Sequence, residues 1–231
     1  MKKIVGIVGG MGPMATVEVF KKIVEHTDSN YDQGHIRILI DDNPQIPDRT
    51  QAILNHDKSP VREICKSANG LVGLGAEMIL IPCNTSHYFF DEIQQEIPVE
   101  VINMVSETAG ELAQKNIKCA GLLATTGTIT GRIYHKYFEE KGINLISPTG
   151  EDQEAVMDFI YSGVKASNHV YNTERFNKTV NHLLSLGAET LVLGCTELPV
   201  GLQMYNLNFP NIDSLDVLAM RAVEKAGYKR I

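Results

Sequence analysis

Two cysteines stand where acid–base chemistry is easy to arrange. Cys83 opens the run Cys83-Asn84-Thr85-Ser86-His87, and Cys195 opens Cys195-Thr196-Glu197. Each follows a short apolar run read as a strand and precedes a stretch read as the start of a helix. Unpaired backbone N–H groups at such a start favour a thiolate. Inverting a stereocentre by proton transfer needs a base on one face of the carbon and an acid on the other. A thiolate and a thiol exchange those roles when the direction reverses. The other two cysteines, Cys65 in a helical pattern and Cys119 in a strand pattern, read as small buried apolar side chains.

Groups that could hold an anionic substrate lie nearby in the same pattern. Arg49 ends the loop Asp41-Asp42-Asn43-Pro44-Gln45-Ile46-Pro47-Asp48-Arg49, and its guanidinium fork matches a carboxylate with two parallel hydrogen bonds. Asn84, Thr85, Thr126 and Thr196 fall at helix starts, where they would either cap the helix or hold a carboxylate. Two rival chemistries carry weaker signals. Cys83 and His87 have helical spacing, but no second such pair completes a zinc site. Gly10-Met11-Gly12-Pro13-Met14-Ala15 fits a dinucleotide fingerprint after a strand, with Asp41 or Asp42 as the ribose partner. The matching loop Ala124–Thr128 lacks that pattern, and a dinucleotide would leave both cysteines unexplained. The glycines are expected instead to let the backbone approach a small substrate closely.

Strand patterns run over 3–8, 36–40, 78–82, 99–102, 119–124, 143–146 and 190–194. Helical patterns fill 14–26, 58–74, 86–96, 105–115, 130–141, 151–163, 172–186 and 214–226. Alternation of this kind predicts an α/β fold with mainly parallel sheets covered by helices on both faces. The chain also repeats itself. Residues 69–83 read NGLVGLGAEMILIPC and residues 181–195 read NHLLSLGAETLVLGC, at a constant offset of 112 (187 − 75 and 195 − 83). A fainter echo pairs Lys3–Val8 with Lys118–Leu123, offset by 115. Two similar three-layer α/β domains follow: 1–105 with a returning C-terminal helix in 212–231, and 106–211. In open parallel sheets, ligands bind beyond the carboxyl ends of the strands. Both cysteines are predicted to sit there.

The totals limit the partners. The chain has 231 residues, 43% apolar and 21% charged, which suits one large or two compact folded domains. A net charge of −7 with scattered lysines and arginines argues against nucleic acid. No apolar run approaches the ~20 residues of a membrane span. The basic start Met1-Lys2-Lys3 is followed by an apolar stretch that stops at Gly9-Gly10 with no cleavage site, so a cytoplasmic protein with reduced thiols is expected.

With these residues in place, the sequence resembles the cofactor-independent aspartate/glutamate racemase family. The resemblance rests on Gly9-Gly10-Met11-Gly12-Pro13, Pro82-Cys83-Asn84-Thr85, Ala124-Thr125-Thr126-Gly127-Thr128 and Gly194-Cys195-Thr196-Glu197, spread over nearly the whole chain. It lies nearer the aspartate branch, because the glutamate branch usually has Asp-Ser after the first strand and His where Glu197 stands. The family implies two pseudo-symmetric domains, an active site in the cleft between them, no cofactor and no metal, a small acidic amino acid as substrate and a homodimer. It further implies Cys83 and Cys195 as the catalytic pair, Cys83 serving the D enantiomer and Cys195 the L enantiomer. Arg49 and Lys165 would take the side-chain carboxylate. Met11, Asn84, Thr85, Thr126, Thr128 and Thr196 would complete the substrate's surroundings. A racemase of glutamate or of broader range is the alternative within the class. A non-catalytic protein binding an acidic metabolite or a dinucleotide is the alternative outside it.

Overall fold

A computed structural model describes residues 2–231. In chain order the elements are β1 (Val5–Gly9), α1 (Pro13–His26), β2 (Ile38–Asp42), α2 (Arg49–Leu54), α3 (Ser59–Gly73), β3 (Met78–Leu80), α4 (Phe90–Glu96), β4 (Glu100–Val101) and α5 (Met104–Gln114). Then follow β5 (Cys119–Ala124), α6 (Thr126–Thr130), α7 (His135–Glu140), β6 (Asn144–Ile146), α8 (Glu151–Asp158), α9 (Glu174–Ser185), β7 (Thr190–Gly194), α10 (Glu197–Met204), β8 (Asn211–Asp213) and α11 (Ser214–Lys225). The chain divides into two compact units, one running to Glu107 and resuming over Leu215–Ile231, the other Thr108–Ser214.

Each unit holds one four-stranded parallel sheet, ordered β2-β1-β3-β4 in the first and β6-β5-β7-β8 in the second. Val5 and Ile7 point to one face of the first sheet, where they join Met78 and Leu80 under α1, α5 and α11. That core contains Val19, Ile23, Met104, Leu215, Leu218, Ala222 and Val223. In the second unit, Leu123, Leu191 and Leu193 pack against Val156, Phe159, Phe176, Val180 and Leu183. Phe159 and Phe176 stack with centroids 3.9 Å apart.

The sequence repeat does the same structural work in both units. Gly75 (φ +102°) and Gly187 (φ +100°) end α3 and α9 in the left-handed conformation that glycine adopts without strain. The N–H of the next alanine, Ala76 or Ala188, then bonds back to the Leu71 or Leu183 carbonyl. A Cβ on Gly6 would lie 2.7 Å from Ile79, with Ala76 and Leu71 next. One on Gly121 would lie 2.4 Å from Leu191, with Ala188 and Leu183 next. Glu77 accepts a hydrogen bond from the Ile4 N–H, and Glu189 accepts from Lys118 and Cys119. The echo between Lys3–Val8 and Lys118–Leu123 is therefore a real correspondence of strands.

Several expectations need correction at element ends. Of the predicted helix 130–141 only α7, His135–Glu140, forms as a helix; α6 ends at Thr130, and a turn in which Arg132 takes φ +50° lies between them. The stretch 86–96 begins as a 3₁₀ turn over Thr85–Phe89, and 151–163 ends in a π-turn over Phe159–Lys165. Three elements had no sequence signal. α2 is six residues, too short to show a period. α10 carries Pro199 and Gly201. β8 is three residues following Pro210.

Candidate active site

In a sheet ordered 2-1-3-4 the chain reverses its direction of travel between the two central strands. The carboxyl ends of those strands form the site where such sheets take ligands. In the first unit they lead into Gly10–Gly12 and Ile81–Asn84, and in the second into Thr125–Thr128 and Cys195–Thr196. Each unit thus brings its cysteine and the neighbouring predicted residues to its own switch point.

Cys83 is buried and its backbone is clamped from three sides. Its N–H bonds to Ile81 O (2.8 Å), while its carbonyl accepts from Ser86 Oγ (2.7 Å) and from His87 Nδ1 (2.9 Å). The Met104 N–H donates to His87 Nε2 at 3.1 Å, so the pattern puts the imidazole proton on Nδ1. Burial holds the His87 pKa below the usual imidazole range, against the hydrogen bond to the Cys83 carbonyl. His87 is therefore neutral and fixes the loop that carries the thiol. Asn84 and Thr85 are buried in the same turn. That turn is only five residues of 3₁₀ helix, a weaker dipole than the predicted α-helix would give.

Cys195 lies in different company. Its thiol donates to Glu197 Oε2 at 2.9 Å, and Thr196 Oγ1 donates to the same oxygen at 3.2 Å. The other oxygen, Glu197 Oε1, lies 3.4 Å from Lys165 Nζ, which also stands over the Tyr161 ring at 4.8 Å. Burial, then the Glu197 carboxylate and the hydrogen bond to it, push the Cys195 thiol well above its ordinary range. The Glu197 backbone N–H and Lys165 pull the other way and lose. This corrects the expectation that the helix start would favour a thiolate at Cys195. Burial works against the Lys165 charge too, but Glu197, Tyr161 and Cys195 outweigh it and hold the ammonium pKa above its usual value. Glu197 was read from sequence only as a departure from the glutamate branch. Its position two residues after a cysteine at a helix start was the signal that marked it as the thiol's partner.

The remaining candidates separate by availability. Arg49 opens α2 and donates from Nη1 to Ile46 O (3.1 Å) and Pro47 O (3.0 Å), while its Nε is enclosed without a hydrogen-bond partner. Met11 is buried. Thr126 is half-buried, its N–H meeting Met157 Sδ at 3.2 Å. Thr128 is fully enclosed, its hydroxyl 3.1 Å from that of Thr125, which caps α6, so it holds the loop together. The glycine loop is also explained internally. A Cβ on Gly10 (φ +85°) would lie 2.2 Å from the Asn43 backbone, and one on Gly9 would lie 2.2 Å from Thr16. Thr16 accepts from the Gly10 N–H and donates to Asp42. Close packing inside the unit by itself requires those two glycines. At Gly12 nothing lies within 4 Å of the added carbon. Among the described residues no three His, Cys, Asp or Glu side chains are grouped to hold a metal ion, and no helix is long and apolar enough to cross a membrane.

Residues 8–222 match the family described as Asp/Glu/Hydantoin racemase. The chain belongs to that family. Among its racemase relatives is the broad specificity amino-acid racemase RacX of Bacillus subtilis, 31% identical over 225 residues that cover 95% of this chain and 96% of RacX. The solved aspartate racemase of Picrophilus torridus superposes with a TM-score of 0.83 at 34% identity, covering 99% of this chain and 96% of that one. An aspartate racemase homologue from Pyrococcus horikoshii is 26% identical with a TM-score of 0.78, covering 98% and 99%. Membership in the racemase family accounts for the duplicated α/β architecture, which these structures share.

Proposed function

We propose that the chain is a cofactor-independent racemase that interconverts L- and D-aspartate, with Cys83 and Cys195 as its two bases. The observation that carries this reading is a thiol at the same switch point of each half, 112 positions apart (195 − 83). One thiol takes the Cα proton and the other delivers a proton to the opposite face, so the bond broken and the bond formed balance without an external oxidant or reductant. On this reading Cys83 serves the D enantiomer and Cys195 the L enantiomer. Arg49 and Lys165 offer the cations for the distal carboxylate. Asn84, Thr85, Thr126 and Thr196, with Met11 and Thr128 behind them, shape the α-carboxylate end, where fixed donors would stabilise the charge that develops as Cα loses its proton. Similarity to an aspartate racemase at 34% identity favours aspartate over glutamate.

A broader range by the same mechanism is the second reading, favoured by the 31% identity to a broad specificity racemase. Optical rotation of L- and D-aspartate, L-glutamate and a neutral amino acid decides between them, with chelator present and no cofactor added. Loss of rotation with aspartate alone supports the first reading. Comparable rates on a neutral amino acid support the second. Tight aspartate binding with unchanged rotation overturns both in favour of a binding protein. A second copy of the chain is the proposed partner. The outward face of α1 presents Met14, Val17, Phe20 and Val24 at helical spacing, between 39% and 62% exposed. Sedimentation of a Phe20→Glu variant as a monomer against a dimeric parent tests it.

A further inference from the structure

Glu197 is the one carboxylate in hydrogen-bond contact with a candidate catalytic thiol among the described residues, and the two-thiol reading assigns it nothing. Its two oxygens are divided between the Cys195 thiol (2.9 Å) and the Lys165 ammonium (3.4 Å), with the Thr196 hydroxyl on the first oxygen as well. The repeat shows that the scaffold does not demand it, because the matching position 112 residues earlier (197 − 112) is Thr85. With its side chain 18% exposed, this carboxylate gives up much of its hydration beside the thiol, which calls for a purpose beyond packing.

We propose that Glu197 is a positioning residue that keeps the proton on Cys195, so that Cys195 stands ready as the acid when the D enantiomer is bound. The inference rests on the two-thiol reading above. On the D enantiomer, the Cys83 thiolate takes the Cα proton and becomes a thiol. The electron pair left on carbon takes the proton from Cys195 on the opposite face, and Cys195 becomes a thiolate. That thiolate then stands against the Glu197 carboxylate, and like charges in contact drive it to take a proton from water while Cys83 gives up its newly gained proton to water, so both sulfurs return to their starting states with no net change in protons. The groups facing Cys195 from other elements are consistent with this. They are Lys165 from the π-turn and Tyr134 from the segment before α7, whose phenol burial pushes up. Tyr161 lies under the Lys165 ammonium, and the charge of Asp213 acts on Tyr134.

The test compares the full-length parent with Glu197→Gln and with Lys165→Met. Iodoacetamide alkylation at a series of pH values is followed separately at Cys83 and Cys195 by peptide mass spectrometry. Glutamine keeps an acceptor for the thiol but removes the charge. Cys195 should then alkylate about tenfold faster at pH 8, the change expected for a thiol pKa lowered by one unit, with Cys83 unchanged. Lys165→Met should slow Cys195 by a few-fold, because the cation that favours the thiolate is gone. Opposite shifts at Cys195 support the proposal. Unchanged rates overturn it, and so does acceleration in both variants, which would signal loosening of the fold. If Glu197→Gln does not fold, a Lys165→Met variant with unchanged or faster Cys195 alkylation overturns it alone. Rotation of D-aspartate is measured on the parent in parallel. A parent that does not racemise while the thiol shifts hold refutes the racemase reading and leaves the role of Glu197 at Cys195 standing.

Discussion

The two cysteine loops share their foundations and differ in what they place next to sulfur. Beneath Cys83, the turn at Gly75, the seat at Ala76 and the tie at Glu77 bring the chain onto β3. Beneath Cys195, Gly187, Ala188 and Glu189 do the same for β7. Beyond the cysteines the halves part. The first continues as a 3₁₀ turn whose Ser86 and neutral His87 hold the Cys83 carbonyl. The second continues as an α-helix in which Pro199 occupies the position matching His87 and Glu197 that matching Thr85. A duplicated scaffold fixes where a thiol stands, and the residues after it set what the sulfur meets, a carboxylate in the case of Cys195.

The strongest challenge to this comparison is removal of each sulfur. Cys83→Ser and Cys195→Ser should each lower racemisation by about 10²–10⁴-fold, the usual range for general acid–base groups. Solvent deuterium incorporation at Cα should persist for L-aspartate in Cys83→Ser and for D-aspartate in Cys195→Ser. Identical losses on both enantiomers in both variants would remove the assignment of faces.

The shared foundations should fail alike. Gly6→Ala and Gly121→Ala force a methyl onto Ile79 and Leu191, and each should cost about 1–3 kcal/mol. Paired thermal melts check this, and a large cost in only one half would break the correspondence. The local difference should appear at His87. His87→Phe leaves the Cys83 carbonyl and the Met104 N–H short of a partner, a cost of about 1–3 kcal/mol. It should also flatten the acid side of the stability curve. The unfolded imidazole takes up a proton as pH falls through its ordinary range and the buried one resists, so the parent loses stability below that range. Denaturant midpoints from pH 8 to 5 separate the parent from His87→Phe. The smallest effect belongs to Glu189. The Lys118 and Cys119 N–H groups hold its carboxyl below the usual range, so its contribution is present above that range and fades as pH falls through the lowered value. The difference in Tm between the parent and Glu189→Gln should shrink correspondingly on acidification.

Much of this was legible in the residues. The 112-residue offset predicted twin sheets, because glycine, alanine and glutamate at one spacing perform backbone tasks that few other residues can. Strands β5 and β7 fell where the apolar runs placed them, at 119–124 and 190–194. What escaped was decided by contacts distant in sequence or by elements too short to show a period. α2 and β8 are of the second kind. The proton affinity of Cys195 is of neither kind: Glu197 stands only two residues on, but the burial of the thiol and its 2.9 Å contact with that carboxylate, which together outweigh the helix start, appear only in the folded loop. The glycines of the first loop were legible as glycines but not in purpose, for nothing local shows Asn43 pressed against Gly10.

The first unit's apolar face is completed by Leu215, Leu218, Ala222 and Val223, residues encoded after the strands of both sheets. The second unit ends at Ser214 and has all its own strands before then. During synthesis the second unit can thus close first, while the strands of the first wait, half covered, for α11. A stalled or truncated product would present Val5, Ile7, Met78 and Leu80 without their cover, a surface suited to chaperone capture or aggregation.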